Sequence, residues 1–436
     1  MASESTQPNA SGREHHPWED VDRMLGVDEA RERILAAVSP LEPGEIPLLD
    51  ALGLVLAADV VSTVNIPPFR NSAMDGYAVR AEDTSGARTS HPIQLTIVGE
   101  LAAGYPPEVT VEIGQAVRIM TGAAMPDGAD AVVRFEETDE DGTHGTSQVK
   151  RAVQILREAK PWDNVRAAGE DVHAGTTVLQ AGTILRPAEI GVLASLNQAH
   201  VLAHRRPRVG ILSTGDEVIG LGPELQPGQI RDANSYTLAA MVKRYGGEPV
   251  VLGVARDTVE DLRAKLATAR GVDLLVTSGG VSLGDYDMVK QVLQAEGEIG
   301  LWQVRIKPGK PLAFGRIGGT PLLGLPGNPV AAFVAFEQFG RPAILKMLGR
   351  TKWQPPVVKA RLLSDQENRG RRRHFVRGIL ERCGDEYVVG PSGSQGSAVL
   401  TSVARANGLI VVPESWEYAE AGAIVDVQLL DTDWTL

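Results

Sequence analysis

The chain has 436 residues, of which 43% are hydrophobic and 22% are charged, an ordinary globular composition for a protein of several domains. It carries 43 Lys and Arg residues against 55 Asp and Glu residues, which gives a formal net charge of −12. This balance argues against general nucleic-acid and anionic-membrane binding, because both depend on an extended basic surface. An anionic ligand must therefore meet a local cluster of positive charge.

Cysteine content and hydropathy indicate the cellular compartment in which we expect the protein. Cys383 is the only cysteine in the sequence, which excludes an intramolecular disulfide and a metal site built from several thiolates. We expect a reducing, cytoplasmic location. No apolar stretch reaches the roughly 18 residues of a membrane helix, so we expect no membrane association. Residues 1–20 are polar and lack the apolar core of a signal peptide, and we expect a disordered tail there.

The first half of the chain predicts three helices. Apolar residues at three- and four-residue spacing over 27–41 predict an amphipathic helix that ends at Ser39-Pro40. A short helix is expected over 48–61, and another over 188–197.

Residues 93–135 have a different pattern, with short β-rich runs separated by Gly and Pro. Such runs are typical of a small barrel or sandwich. The acidic run from Glu136 to Asp141 is expected to be a solvated hairpin tip.

Beyond Pro207 apolar strands alternate with helical patterns. The runs VGILST, VVLGVA and DLLVTS are each followed by a predicted helix, over 234–245, 259–270 and 287–296, and a last helix is predicted over 330–348. This order is typical of a doubly wound α/β domain with a parallel sheet. Residues 356–436 return to short alternating strands, which predicts a separate β domain.

Two loops at carboxyl ends of the predicted strands could hold an anion. Ligands of open α/β sheets bind at these ends, and glycine lets backbone N–H groups approach a phosphate closely. The alternative is that the glycines only make tight turns. The candidate ligand contacts in these loops are Thr214, Gly215, Ser278, Gly279, Gly280 and Ser282.

Acidic residues follow the same strands. Asp216 and Glu217 belong to the first loop, Asp257 follows the next strand, and Asp285 and Asp287 follow the third. Carboxylates beside a phosphate loop suit Mg²⁺, which takes one or two carboxylates together with phosphate oxygens and water. Helix N-capping is the alternative for Asp257 and Asp287.

A basic window supplies the opposite charge. No acidic residue occurs from Ile299 to Phe336, whereas Arg305, Lys307, Lys310 and Arg316 do. Lys307 and Lys310 stand on a proline-stiffened loop, and the turn LPGNP adds a second rigid segment before a helix. The alternative is a solvated sheet edge protected by lysines.

A second basic cluster lies in the predicted C-terminal domain, and it either grips an oxyanion or forms a surface patch. It consists of Arg369, Arg371, Arg372, Arg373 and Arg377. The histidines are isolated in sequence and are expected to be structural or exposed, namely His173, His200, His204 and His374.

Several segments, in order, resemble the molybdopterin molybdenumtransferase family, the bacterial relatives of the gephyrin E domain. They are PPFRNSAMDGYAVR (67–80), RIMTGAAMPDGADAVV (118–133), AGED (168–171), STGDEV (213–218), RDANSY (231–236), TSGGVSLGDYDMVK (277–290), IKPGKPLAFG (306–315) and LPGNPVAAF (325–333). The resemblance runs from about Val21 to the C-terminus, and an ordered set of motifs is far more specific than any single one.

The resemblance implies an activity. Such an enzyme takes adenylylated molybdopterin and molybdate, hydrolyses the adenylate with Mg²⁺, releases AMP and inserts molybdenum into the dithiolene to give molybdenum cofactor. It also implies a homodimer with a site shared between subunits, and it is compatible with contacts to other cofactor-biosynthesis proteins. The alternatives are nucleotide chemistry of the molybdopterin adenylyltransferase type and a non-catalytic pterin-binding scaffold.

The resemblance also implies residue roles. Asp75 and Thr121 match positions that reach the site from the facing subunit, and Glu217, Asp257 and Asp287 match acidic active-site residues, with Asp257 and Asp287 as Mg²⁺ ligands. The matched substrate-binding residues include Lys307, Lys310, Asn328 and Arg372. Two departures stand out: Ala331 replaces a frequent serine, and GRRRHF contains extra arginine, which leaves open which of residues 371–373 meets the oxyanion.

The implied architecture is multidomain α/β and β. We expect an elongated, discontinuous linker and dimerisation domain (21–66 and 172–206), a small inserted β domain (67–171), a molybdopterin-binding type α/β domain (207–355) and a C-terminal β-barrel-like domain (356–436).

Overall fold

A computed structural model describes residues 24–140, 151–280 and 297–430. The predicted tail over 1–20 and the predicted helix over 287–296 lie outside these residues. The chain divides into a larger compact unit, Met1–Ile46, Gly53–Ala57 and Leu202–Leu436, and a smaller one, Pro47–Leu52 and Ala58–Val201. No helix of the described residues is long and apolar enough to cross a lipid bilayer.

Seven α-helices occur in the described residues, together with two 3₁₀ turns at Ala81–Thr84 and Phe135–Glu137 and a π-helical segment at Phe336–Gly340. The α-helices are α1 (Val27–Ala36), α2 (Pro187–Ser195), α3 (Ala233–Arg244), α4 (Val259–Thr268), α5 (Pro329–Ala335), α6 (Arg341–Met347) and α7 (Leu400–Ala404).

The strands before residue 205 are β1 (Pro43–Pro47), β2 (Val60–Val61), β3 (Asn71–Ser72), β4 (Gly76–Val79), β5 (Arg88–Leu101), β6 (Gln115–Ile119), β7 (Ala131–Arg134), β8 (Ala152–Arg157), β9 (Val165–Arg166), β10 (Thr177–Leu179) and β11 (His200–His204). Those that follow are β12 (Arg208–Thr214), β13 (Val218–Ile219), β14 (Ile230–Arg231), β15 (Glu248–Ala255), β16 (Leu274–Ser278), β17 (Gly297–Gln303), β18 (Ile306–Lys307), β19 (Pro311–Ile317), β20 (Thr320–Leu325), β21 (Val357–Leu362), β22 (Gln366–Glu367), β23 (Arg373–Cys383), β24 (Glu386–Pro391), β25 (Gly408–Val412), β26 (Tyr418–Ala419) and β27 (Ile424–Leu429).

The larger unit contains a six-stranded sheet in the order β15-β12-β16-β20-β19-β17. The first four strands pair in parallel and the last two are antiparallel, so the predicted parallel sheet has an antiparallel edge. Strand β16 is buried along its whole length, which explains its continuous apolar run. Helix α3 is capped by Asp232, whose side chain accepts a hydrogen bond from the backbone N–H of Ser235. The predicted α/β fold class is confirmed.

The C-terminal strands of this unit close into a barrel. Five strands pair in the order β23-β24-β21-β27-β25, and β25 pairs again with β23. Alternate side chains fill the interior, among them Leu362, Val376, Leu380 and Ile410. The predicted barrel-like domain is confirmed, and all five of its predicted strands are present.

The smaller unit is built on a five-stranded sheet in the order β7-β4-β6-β5-β8. Separate clusters of buried apolar residues lie around Tyr77 and around Ile119. An isolated bridge from Thr138 to Ile155 joins the segment after β7 to β8.

Two local expectations are wrong. Residues 48–61 form turns and the short strand β2 instead of a helix, because Gly53 adopts a left-handed φ of 80° and Val60–Val61 pairs with β10. The predicted helix over 330–348 is confirmed, and it contains the π segment because Pro342 cannot donate to a carbonyl in the preceding turn.

The second wrong expectation concerns the acidic run, of which Asp141 lies outside the described residues. Glu137 pairs with Arg134 at 2.7 Å and with Arg157 at 2.6 Å. Glu140 accepts a hydrogen bond from the hydroxyl of Tyr77 and pairs with Arg118. These partners make the run part of the folded β domain and not a solvated tip.

One buried amide organises the turn before β23. Asn368 is fully buried, and its Nδ2 donates to the carbonyl oxygens of Arg372 at 2.8 Å, Pro413 at 3.1 Å and Trp416 at 3.0 Å. The turn is thereby joined to the loop that follows β25.

We predict that Asn368→Ala lowers the free energy of unfolding by about 2 kcal/mol, because buried carbonyls lose their donor. The exposed neighbour Arg369 provides the control, since Arg369→Ala should change stability by no more than about 0.5 kcal/mol. Urea unfolding followed by tryptophan fluorescence compares the two variants. Equal midpoints would contradict the role given to the amide.

Candidate active site

A cavity of about 1050 Å³ opens in the larger unit at the carboxyl ends of β12 and β16. One wall is formed by the loops of the α/β sheet, and another by residues of the barrel, including Arg372 and His374. This is the end of an open α/β sheet at which ligands bind.

Eleven of the residues singled out from sequence line this cavity, namely Thr214, Gly215, Glu217, Asp257, Ser278, Gly279, Gly280, Lys307, Lys310, Asn328 and Arg372. Asp75 and Thr121 belong to the smaller unit. Ser282, Asp285 and Asp287 lie outside the described residues.

The glycines of both loops adopt positive φ values and lie close to neighbouring side chains. Gly279 has a φ of 91°, and a Cβ there would lie 2.8 Å from Oγ1 of Thr214. Gly215 has a φ of 136°, and a Cβ there would lie 2.7 Å from the carboxylate of Glu217. Oγ1 of Thr214 is buried and has no hydrogen-bond partner among the described residues. A polar ligand could satisfy it.

A side chain of α3 connects the loops. Nδ2 of Asn234 donates to Oγ of Ser278 at 2.7 Å and to the carbonyl oxygen of Gly327 at 2.8 Å. Across the turn, Nδ2 of Asn328 donates to Oγ of Ser397 at 3.1 Å. The LPGNP turn is thus held against both the sheet and the segment that follows β24.

One side of the cavity is acidic. Burial raises the pKa of Asp257, and the nearby carboxylates of Asp216 and Glu217 raise it further. Oδ1 of Asp216 accepts a hydrogen bond from the backbone N–H of Asp257 at 3.2 Å. The N-cap of α4 is Thr258, so the capping alternative for Asp257 is wrong. The raised pKa of Asp257 shows that negative charge is concentrated beside it, which is a suitable environment for a cation.

The other side is basic. Burial lowers the pKa of Lys307, and the guanidinium of Arg372 lowers it further. Burial also lowers the pKa of Arg372. These cations are partly desolvated and lie close together, and an anion between them would relieve both effects.

The other arginines of the C-terminal cluster have different partners. Arg373 donates to Asp28 at 3.0 and 2.8 Å and to Glu414 at 3.2 Å. Arg377 is fully buried, and its Nη2 donates to the carbonyl oxygen of Gly396 at 3.2 Å. Of residues 371–373, Arg372 is the one that lines the cavity.

Only some of the basic residues in the acid-free segment from Ile299 to Phe336 line the cavity. Lys307 and Lys310 line the cavity, whereas Arg305 and Arg316 are not among its lining residues. The guanidinium of Arg316 donates to the carbonyl oxygens of Gly319 and Ala37. The composition identified this basic segment. Only the fold shows which of its basic residues line the cavity and which do not.

Several lining residues were not singled out as site residues from sequence, among them Asn234, His374, Gln395 and Ser397. A usable signal existed for His374, because residues 372 and 374 are two positions apart at the start of a strand and face the same side. For Gln395 and Ser397 the sequence offers no periodicity, since they lie in the loop after β24.

Asp75 and Thr121 form a pair of their own in the smaller unit. The backbone N–H and the hydroxyl of Thr121 donate to Oδ1 of Asp75 at 2.6 and 2.8 Å. These hydrogen bonds lower the pKa of Asp75. Asp75 directly precedes β4, where a Cβ on Gly76 would lie 2.0 Å from the carbonyl oxygen of Val133. A glycine is therefore required beside this carboxylate.

Fold and cavity together define a multidomain α/β and β protein with a cavity on its α/β sheet that is lined by both carboxylates and cations. Residues 25–197 match the MoeA N-terminal region (domain I and II), 210–346 a probable molybdopterin binding domain, and 359–430 the MoeA C-terminal region (domain IV).

Two curated relatives cover most of the chain. It is 41% identical over 384 residues to a molybdopterin molybdenumtransferase of Nostoc sp., covering 86% of each chain. It is 40% identical over 412 residues to molybdopterin molybdenumtransferase 2 of Mycobacterium tuberculosis, covering 93% of this chain and 99% of that one. A solved structure of the molybdopterin biosynthesis moea protein from Pyrococcus horikosii matches with a TM-score of 0.78 and 33% identity, covering 94% of this chain and 99% of that one.

The chain therefore belongs to the molybdopterin molybdenumtransferase family. The predicted class, a transferase of molybdenum cofactor biosynthesis, is confirmed.

We predict that Gly279→Ala disturbs the cavity more than its backbone conformation alone explains. Gly222 is the matched control, because its φ is 106° and a Cβ there meets nothing within 4 Å. Gly222→Ala should cost about 1 kcal/mol of unfolding free energy from the left-handed φ. Gly279→Ala should cost about 1 to 3 kcal/mol more, because the new methyl overlaps Thr214. Equal losses in thermal unfolding would contradict this packing argument.

Proposed function

We propose that the cavity binds adenylylated molybdopterin and molybdate, and that the protein hydrolyses the adenylate, releases AMP and inserts molybdenum into the dithiolene. The observation that carries this proposal is one cavity with desolvated cations on one side and crowded carboxylates on the other. Two anionic substrates need the first, and a metal-assisted phosphate reaction needs the second.

The cations suit the oxyanion. Molybdate is a dianion, and it must approach a substrate that already carries phosphate. Lys307, Lys310 and Arg372 would offset this repulsion inside a site where charges are screened less than in water. Arg372 adds a planar fork of donors that matches two oxygens at once. The dithiolene sulfurs belong to the substrate, so the protein needs no cysteine in the site.

The glycine loops suit the phosphates. Backbone N–H groups near Gly215, Gly279 and Gly280 can approach phosphate oxygens, since no side chain covers them. The hydroxyls of Thr214 and Ser278 lie on the same loops and line the same cavity. These groups would fix the position of the diphosphate before it is cleaved.

The acidic side fits Mg²⁺. Asp257 would be a ligand, with Asp216 and Glu217 beside it, and Asp287 is a further proposed ligand in residues that the structure does not describe. Bound Mg²⁺ supplies charge neutralisation for the phosphate that leaves. The carboxylate of Glu217 would accept a hydrogen bond from the attacking water. That water adds to a phosphorus of the diphosphate bridge, the bridging P–O bond breaks, and AMP departs.

We further propose that the active form is a homodimer in which Asp75 and Thr121 of one subunit complete the cavity of the other. The hydrogen bonds from Thr121 keep Asp75 ionised, which suits a group that must face a cation or donate no proton. A cytoplasmic location and contacts with other cofactor-biosynthesis proteins fit this role.

The two alternative functions have less support. Adenylyltransferase chemistry would need only the α/β domain, whereas the matches to family members include the N-terminal and C-terminal regions. A non-catalytic scaffold gives no reason for crowded carboxylates beside an anion site, because unpaired like charges destabilise the fold.

We predict that Asp257→Asn lowers molybdate-dependent AMP release from adenylylated molybdopterin by about 100-fold, the range found when one electrostatic group of an active site is removed. The Mg²⁺ concentration for half-maximal activity should rise as well. Asp385, an exposed turn residue of the barrel, is the control, and Asp385→Asn should behave as wild type. Chromatography of AMP measures both, and unchanged release by Asp257→Asn would refute its role.

We also predict complementation between inactive variants. Mixed Asp75→Asn and Asp257→Asn subunits should recover about a quarter of wild-type activity, because half of the randomly formed dimers contain one intact site. Mixing Asp257→Asn with Lys307→Met should recover nothing, since both changes fall in the cavity of the same subunit. Activity is measured as AMP release after subunit exchange has been verified by mass. Equal recovery in the two mixtures would refute a shared site.

A further inference from the structure

His374 is a buried histidine in the cavity wall for which the proposed function gives no role. Its side chain is 4% exposed, and it lines the cavity. Its Nδ1 is buried and has no hydrogen-bond partner among the described residues. A buried polar atom without a partner loses free energy, so this position calls for a ligand or another explanation.

The surroundings of His374 are cationic from more than one element. On β18, Lys307 stands opposite His374 in the parallel pairing of β18 with β23. On its own segment it is flanked by Arg372 and Arg377. Burial and the charges of Lys307, Arg377 and Arg372 together lower the pKa of His374 to about 3. The imidazole is therefore neutral in the cavity without its anionic substrates.

Among the described residues, the remaining neighbours supply no carboxylate to the imidazole. Strand β25, which pairs with β23 on the other side, places Val412 opposite His374 and contains only Gly, Leu, Ile and Val. The loop after β24 contributes the uncharged Gln395 and Ser397 to the cavity wall. Glu414 is engaged by Arg373, the preceding residue on β23.

We propose that His374 is a substrate-binding residue that takes up a proton from solvent when an oxyanion enters the cavity and then binds that anion as imidazolium. This inference rests on the proposed function, because it requires the cavity to bind dianions. The physical reason is charge balance. A dianion bound beside Lys307 and Arg372 offsets the positive charge that these residues place at His374, and it attracts the charged form of the ring. Both ring nitrogens of an imidazolium are donors, so protonation gives the ring a donor for an anion in the cavity that it lines.

Linkage fixes the sign of the pH dependence. Anion binding raises the pKa of His374, so affinity is greatest at low pH. As the pH rises from the pKa of His374 in the free protein to its pKa in the complex, the affinity falls by up to about tenfold per pH unit. At higher pH the affinity levels off. A neutral residue at this position removes the slope. Lys307 has a lowered pKa as well, so the test must separate the two groups.

The experiment uses the full chain and sulfate, an oxyanion that stays a dianion between pH about 5 and 8, where histidine is the usual titrating group. Isothermal titration calorimetry in two buffers of different ionisation enthalpy measures the protons taken up for each sulfate bound. We expect an uptake approaching one proton for wild type, and none for His374→Gln, which keeps Lys307. Uptake that persists in His374→Gln, or none in wild type, would overturn the inference.

A second measurement uses the wild-type protein, so it does not depend on whether a variant folds. Nitrogen NMR of protein labelled at the histidine rings should show one neutral imidazole converting to imidazolium as sulfate is added. No conversion would overturn the inference.

The same titrations separate this inference from the proposed function. If neither sulfate nor molybdate binds wild type, the oxyanion site is wrong and both proposals fail. If both anions bind and Lys307→Met weakens them, while the exposed control Lys359→Met does not, the anion site stands. If His374→Gln then left the affinity and its pH dependence unchanged, the role of His374 would be refuted and the anion site would remain.

Discussion

The candidate site depends on one short stretch of parallel pairing, in which Ile306–Lys307 of the α/β domain pairs with Arg373–His374 of the barrel. Only two residues of each strand take part, yet they bring the lysine loop and the arginine segment to the same cavity. Backbone hydrogen bonds set the register, and in a strand a shift of one residue turns every side chain to the opposite face. The positions of Lys307, Arg372 and His374 therefore follow from this pairing.

Negative and positive side chains occupy separate parts of the cavity. Carboxylates at the ends of β12 and β15 lie on one side, and the cations of the lysine loop and the barrel lie on the other. Besides burial, like charges perturb one another on each side, as the raised pKa of Asp257 and the lowered pKa of Lys307 indicate. A protein with a net charge of −12 can bind anions because its positive charge is concentrated at this point.

The sequence predicted those parts of the fold and of the candidate site that depend on residues close together in the chain. Apolar runs gave the strands of the sheet and barrel, and glycine beside hydroxyl residues marked the two loops. Long-range partners could not be read. Arg372 and Arg373 are adjacent and chemically identical, and only the fold gives one to the cavity and the other to Asp28. The π segment of the last helix and the turns over 48–61 likewise depend on tertiary packing and on single Gly and Pro residues, which outweigh periodicity.

The ion pair between Arg373 and Asp28 joins positions 345 residues apart, at opposite ends of the chain. During synthesis helix α1 emerges first, and it must wait for almost the entire polypeptide before its partner strand exists. The cavity wall is built on that same late strand. A nascent chain can thus fold its β domain and parts of its sheet before the wall formed by Arg372 and His374 exists.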